Sequence, residues 1–323
     1  MMLKRVARIC LCGLFVFGGT VHAAESSWPV KPVTIVIPFA IGGVSDVTTR
    51  MLAAKLRSEF GQSFLAENRA GAGGNIGADY VAKANPDGYT LFQGTSAHVT
   101  NMSLYKTLPY DFIRDFAPVS QISFVPSVLV VHPSLPVKNL GEFIKFVRNP
   151  KNVLHYGSGG SGSVTHLAPA VFDKLVGSRM THVPYKGNGP ALTDLMGGQI
   201  EVVFSPFIDA ITFIKAGKLR ALGMTTKTRS ALLPDLQAIA ELVPGYEVVL
   251  WNGIFAPAKT PPEIVNRLSE AIARIIKQPD TRKFLADHGS EPVSSTPAQF
   301  REFIASEVPK WRTLVEVSGA RVE

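Results

Sequence analysis

Apolar and polar positions along this chain fall into short blocks whose period keeps switching. Residues 33–40 read Val-Thr-Ile-Val-Ile-Pro-Phe-Ala, a β-branched apolar run of the kind expected for a parallel strand covered on both faces. Ile41-Gly42-Gly43-Val44-Ser45-Asp46 follows, and a helical pattern then takes over through 47–52. The two glycines permit a sharp turn, and Ser45 or Asp46 can cap the helix. Further strands are predicted at 64–67 and 89–92, with a helix over 75–84 and a turn at Pro86-Asp87-Gly88. A second strongly apolar strand covers 124–131 and closes at His132-Pro133. The rhythm then restarts with a helix over 140–147, a strand over 153–156, a glycine-serine loop and a helix over 164–175. Helices at 190–196 and 207–215 alternate with strands at 201–204 and 219–225, and an apolar strand over 247–255 ends in Ala256-Pro257. Everything beyond reads as helical, with Pro262 suited to a first-turn position and segments reaching about residues 277, 288 and 317.

Alternating strands and helices imply sheets flanked by helices. The long apolar strands near 125–131 and 247–255 bracket one strand–helix set lying between two others. A chain that crosses over and later returns would build two lobes joined by two strands: residues 24–124 with 248–323, and residues 125–247. The competing arrangement is one large doubly wound domain. In either case ligands are expected in the crevice at the carboxyl ends of the strands.

The first two dozen residues change the setting. Lys4, Arg5 and Arg8 precede an apolar core at 9–17, and Val21-His22-Ala23 offers small side chains where a signal peptidase reads. Cleavage after Ala23 would leave 300 of the 323 residues and lower the net charge from +8 to +5. It would also remove Cys10 and Cys12, the only cysteines, leaving no disulfide and no thiolate chemistry. The remaining cations form no basic run with interleaved aromatics, so nucleic acid is not an expected partner. The expected location is the periplasm.

Four places could carry chemistry. The start of the helix after Gly42-Gly43 presents unpaired N–H groups and a positive dipole end, a ready site for an anion. Gly71-Ala72-Gly73-Gly74-Asn75-Ile76-Gly77 resembles a relaxed dinucleotide loop, but the next strand, ending near Leu91-Phe92-Gln93, carries no acid for a ribose. No cofactor is therefore expected. Residues 156–166 hold Ser158, Ser161, Ser163 and His166, which admits an exported serine hydrolase using Ser158 or Ser163 with His166. No serine there has glycine two before and two after, and no orienting acid lies near; a second anion-binding helix start is the better reading. Finally, His182-Val-Pro-Tyr-Lys-Gly187 brings an aromatic ring, a hydroxyl and a cation to one edge. The histidines never pair at H-x-x-x-H spacing, so no metal is expected.

Taken in order, these segments resemble the extracytoplasmic solute receptors of tripartite tricarboxylate transporters, the Bug receptors. The resemblance is carried by residues 28–40, Gly42-Gly43-x-x-Asp46, residues 67–74, 85–91 and 108–111, Tyr156-Gly-Ser-x-Gly, His166-Leu, residues 182–187 and 216–221, and Trp251-x-Gly-x-x-Ala-Pro257. It implies a two-lobed α/β periplasmic binding protein of the type II kind, with parallel-type sheets flanked by helices, two crossover strands as hinge, and closure around a ligand. It also implies a monomer that captures a small organic acid or related metabolite for integral-membrane permease subunits, without catalysis; a sensor presenting its ligand to a membrane kinase would share the fold. The ligand-binding residues implied are Phe39, Ala40, Gly42, Gly43, Asp46 and Ser96 in the first lobe. Ser158, Gly162, Ser163, His166, Tyr185, Lys186 and Ser205 belong to the second. Ile41 replaces the proline usual in the family, and Ser205 stands where many relatives carry aspartate.

Overall fold

The computed structural model describes residues 28–321, so the expected signal peptide at 1–23 lies outside the described residues. The first sheet grows from β1 (Val33–Ile37), β2 (Phe64–Asn68) and β3 (Thr90–Thr95), all parallel, with α1 (Val44–Phe60), α2 (Asn75–Ala82) and α3 (Ser96–Leu104) as their connections and covers. The chain then runs along β4 (Phe116–Val125) and leaves the lobe. β5 (Ser127–Val131) opens the second sheet, followed by α4 (Leu140–Arg148), β6 (His155–Ser158), α5 (Val164–Val176), β7 (Thr181–Pro184), α6 (Asn188–Met196), β8 (Val202–Pro206), α7 (Phe207–Lys215) and β9 (Arg220–Met224). The return gives β10 (Leu250–Pro257), α8 (Pro262–Lys277), α9 (Pro279–Asp287), the short β11 (Glu291–Pro292) and α10 (Pro297–Ser318).

The two sheets share one topology. Their strand orders are β11-β4-β10-β3-β1-β2 and β7-β6-β8-β5-β9. Each has four strands running one way, with one strand arriving from the opposite lobe inserted between the third and the fourth. Because that strand arrives from the far side, it runs against its neighbours: β10 is antiparallel to β3 and β4, and β5 to β8 and β9. The sheets are therefore mixed, where the sequence reading expected parallel-type sheets.

The apolar run at 124–131 is two strands. Pro126 separates β4 from β5, and a residue without N–H cannot continue a ladder, so the chain changes sheets there. The return crossing is not a strand: residues 225–249 are mostly irregular, with one isolated bridge from Ala238 to Met224, and the next strand begins at Leu250. The two crossings are stitched together. Ser127 N–H donates to Thr225 Oγ1 (3.0 Å), Thr225 N–H to Ser127 O (2.9 Å), and Val248 N–H to Thr225 O (3.0 Å).

Each lobe has its own core. Ile35, Leu91 and Ile254 pack against Leu268 and Ile272 of α8 in one; Val128, Val130 and Val203 pack against Leu192 and Leu195 of α6 in the other. α10 touches both, lying on α3 and on α5, and its Trp311, Leu314 and Val315 share a buried cluster with Leu167 and Phe172. Pro297 at its first turn and the Thr296–Gln299 capping box fix where it starts. No described helix is long and apolar enough to cross a membrane.

Candidate functional site

A cavity of about 440 Å³ opens between the lobes. Four helix starts line it: Gly43, Val44 and Ser45 of α1; Thr95, Ser96 and Ala97 at α3; Gly162, Ser163 and Val164 of α5; Pro206, Ile208 and Asp209 of α7. The first-turn amides of a helix have no partner within it, and each start carries about half a positive charge. No side chain caps α1, α5 or α7. Between these ends the wall is mostly carbon, with Phe39, Leu104, Val125, Leu167, Ile208 and Leu250 facing the cavity beside the polar Thr100, Asn101 and Asn252. Among the described residues neither Lys nor Arg lines it, and Asp209 is the one ionisable lining residue.

The loop from β1 to α1 is held by a charge. Asp46 is 2% exposed, and its carboxylate accepts from Gly42 N–H (3.0 Å), Arg50 Nε (2.9 Å) and Asn68 Nδ2 (2.9 Å). Burial pushes its pKa up, but the hydrogen bonds from Arg50, Gly42 and Asn68 outweigh that and leave it below the usual carboxylate value. Gly42 takes the left-handed conformation at φ 89°, whereas Gly43 is extended at φ −75°. The left-handed turn is thus made at Gly42, next to the Gly43 cap.

The loop from β6 to α5 is held by neutral groups. Thr165 Oγ1 accepts from Gly159 N–H (2.7 Å), Ser163 Oγ donates to Gly160 O (2.6 Å), and Gly162 N–H donates to His166 Nδ1 (3.1 Å). Behind them the His166 and His182 rings stack at 3.9 Å with 6° between planes, and Ser158 Oγ bonds His182 Nε2 (2.6 Å). Burial, with His182 alongside, lowers His166 to about 4, and burial lowers His182 as well. Both rings are neutral at ordinary pH.

Comparison with known proteins agrees with this architecture. A family model described as the tripartite tricarboxylate transporter family receptor matches residues 48–320. The chain belongs to that receptor family. BugT of Bordetella pertussis is 33% identical over 320 residues, covering 98% of each chain. Among solved structures, Rpa4515 of R. palustris with adipate superposes with a TM-score of 0.77 at 37% identity, covering 91% of this chain and all of that one. MatC from Rhodopseudomonas palustris with bound malate gives 0.72 at 33% identity, covering 89% and 100%. The fold is thus the two-lobed periplasmic binding protein, and the chain is a periplasmic solute-binding receptor.

Within this receptor the expected site residues separate into three groups. Phe39, Gly43, Ser96, Gly162 and Ser163 line the cavity. Asp46, Ser158 and His166 stand behind the lining and brace it, as does Ser205, which accepts from Asn188 Nδ2 (2.8 Å) and donates to Pro206 O (3.0 Å). Ala40, Gly42, Tyr185 and Lys186 are not among the lining residues: Ala40, Gly42 and Lys186 are exposed, and Tyr185 is turned away with its hydroxyl on Asp194 Oδ2 (2.8 Å). The expected pairing of Ser158 or Ser163 with His166 is not formed among the described residues. Ser158 Oγ bonds His182 instead, Ser163 Oγ is engaged by Gly160 O and Thr165, His166 Nδ1 by a backbone amide, and among the described residues no carboxylate bonds either His166 or His182. The glycine loop at 71–77 is structural: a Cβ on Gly74 would meet His98 Nε2 at 2.8 Å, and Asn101 Nδ2 donates to Gly73 O (3.0 Å).

Several residues went unseen in the sequence. Asn252 lines the cavity and gathers Ser45 Oγ, Gln93 Nε2 and Ser123 Oγ around its amide. Beneath the cavity, the indoles of Trp251 and Trp311 both donate to Glu307 Oε2, at 2.9 and 2.6 Å. Asp209 sits in the first turn of α7, where an acid reads as an ordinary dipole complement. Trp251-x-Gly was visible as a motif; the convergence on Glu307, 56 residues on, was not. Among the described residues no group of three or more potential metal ligands occurs.

Proposed function

We propose that this receptor captures a small carboxylate-type metabolite between its lobes, unaltered, and delivers it as a monomer to the permease subunits of a tripartite transporter. Its export would follow removal of residues 1–23, and its lobes would divide near residues 124–125 and 247–248. One observation carries the reading: four helix starts converge on a mostly carbon-walled cavity into which, among the described residues, no cationic side chain reaches. A carboxylate can be paired there by backbone N–H groups, as at other helix starts, while its carbon body replaces water against the wall. The stitched crossing at Ser127–Thr225 gives the lobes a pivot for closing on the ligand. That relatives carry adipate and malate supports the same chemistry here. A thermal-shift screen of organic acids on the mature protein tests it: at least one acid should raise the melting temperature, by an amount that grows with the logarithm of its concentration over Kd. A flat response to every carboxylate would overturn the reading.

A further inference from the structure

The acceptors at one end of the cavity do not match a plain dicarboxylate. Asp209 projects from the first turn of α7 into the lining, and only its Oδ2 is engaged, by Asn188 Nδ2 at 2.8 Å. Among the described residues no cation pairs with it. Asn188 lies behind the lining, and Asp209 is exposed at the cavity, so its Oδ1 is left as an acceptor. This corner therefore offers a carboxylate oxygen and asks for a hydrogen-bond donor. At α3 the balance is the opposite. Ser96 is fully buried, lines the cavity, and its hydroxyl has no partner, so a donor waits there at a helix start whose Ala97 amide is already capped by Thr95 Oγ1.

Resting on the receptor reading, we propose that the ligand is a carboxylate whose far end carries a cation or hydrogen-bond donor, and that Asp209 selects it over a dicarboxylate. The carboxylate takes the helix starts of α1, α3 and α5 with the Ser96 hydroxyl. The apolar body lies along Leu104, Leu167 and Ile208. The donor end meets Asp209. A second carboxylate placed there would face a like charge, which costs binding rather than adding to it.

Calorimetric titration with three ligands of matched length, 6-aminohexanoate, hexanoate and adipate, tests the assignment. The wild-type protein should bind 6-aminohexanoate at least about tenfold more tightly than adipate, the size of one charge pair gained against one repelled. Asp209→Asn, which keeps the shape, should shrink or reverse that ratio by about tenfold while leaving hexanoate nearly unchanged. Adipate binding as tightly as the amino acid to the wild type, or a ratio unmoved by D209N, overturns the role of Asp209 and leaves the receptor reading standing. Failure of all three ligands, together with a flat organic-acid screen, would remove both.

Discussion

The two first loops of the lobes, β1 to α1 and β6 to α5, occupy equivalent places in two sheets of the same topology, yet they are built from different chemistry. In the first, one buried carboxylate gathers a backbone amide, a guanidinium and a carboxamide. In the second, hydroxyls and a neutral imidazole hold the backbone, with a second imidazole stacked behind. Both leave a helix start free of side-chain capping and aimed at the same cavity. What the function needs is the exposed amides; the means of holding them is free to differ. Of the two loops, only the second should be sensitive to mild acid.

The largest expected effect is therefore of pH. His166 is held at about 4 against an ordinary 6.5, so between those values the unfolded chain binds the proton and the fold does not. Its contribution is intact above pH 6.5 and is lost on acidification, by about 3 kcal/mol at pH 4. His98, fully buried and also near 4, adds a loss of the same sign from the first lobe's core. Melting temperature measured across pH 7 to 4 should fall steeply, and His166→Gln should make the slope shallower. Asp46, by contrast, has a lowered pKa, so its support persists above the ordinary carboxylate value and fails only in stronger acid. An unchanged slope in His166→Gln would erase the asymmetry between the loops.

Next in size is the charged brace itself. Asp46→Ala strands the Gly42 amide and the Asn68 and Arg50 donors, and should cost about 2 kcal/mol in urea unfolding, since Arg50 remains half in solvent. The corresponding cut in the other loop, Thr165→Val, removes the acceptor for Gly159 N–H and should cost about 1 kcal/mol. Equal costs would mean that the two braces do equal duty despite their chemistry.

Much of this was legible in the chain because the signals were local. A β-branched run feeding into Gly42-Gly43 can only be a strand turning into a helix, and Tyr156-Gly-Ser-Gly-Gly repeats the device. What stayed hidden depends on residues far apart. The crossing at Pro126 lay inside an apolar run whose continuity concealed a change of sheet. The antiparallel insertion of β10 and β5 follows from which lobe a strand arrives from, and no short window records that. Tyr185 and Lys186 sat in the right loop, but the side-chain direction was set by Asp194, nine residues on. His166 and His182 were read as separate residues; only the parallel pairing of β6 with β7 brings the rings together.

The central claim is that a ligand anion is held by backbone at the helix starts, not by any one side chain. Titration calorimetry of Gly43→Val beside Ser96→Ala, with the carboxylate that most raises the melting temperature, tests it directly. A Cβ at Gly43 meets nothing of the protein closer than Ala40 O at 3.8 Å, and the residue is extended, so the fold should tolerate valine while the ligand's approach is blocked. The account predicts at least a tenfold loss of affinity for Gly43→Val, about 1.4 kcal/mol, and a smaller one, roughly 1 kcal/mol, for Ser96→Ala, where water can replace the hydroxyl. Undiminished affinity in a folded Gly43→Val protein would contradict it.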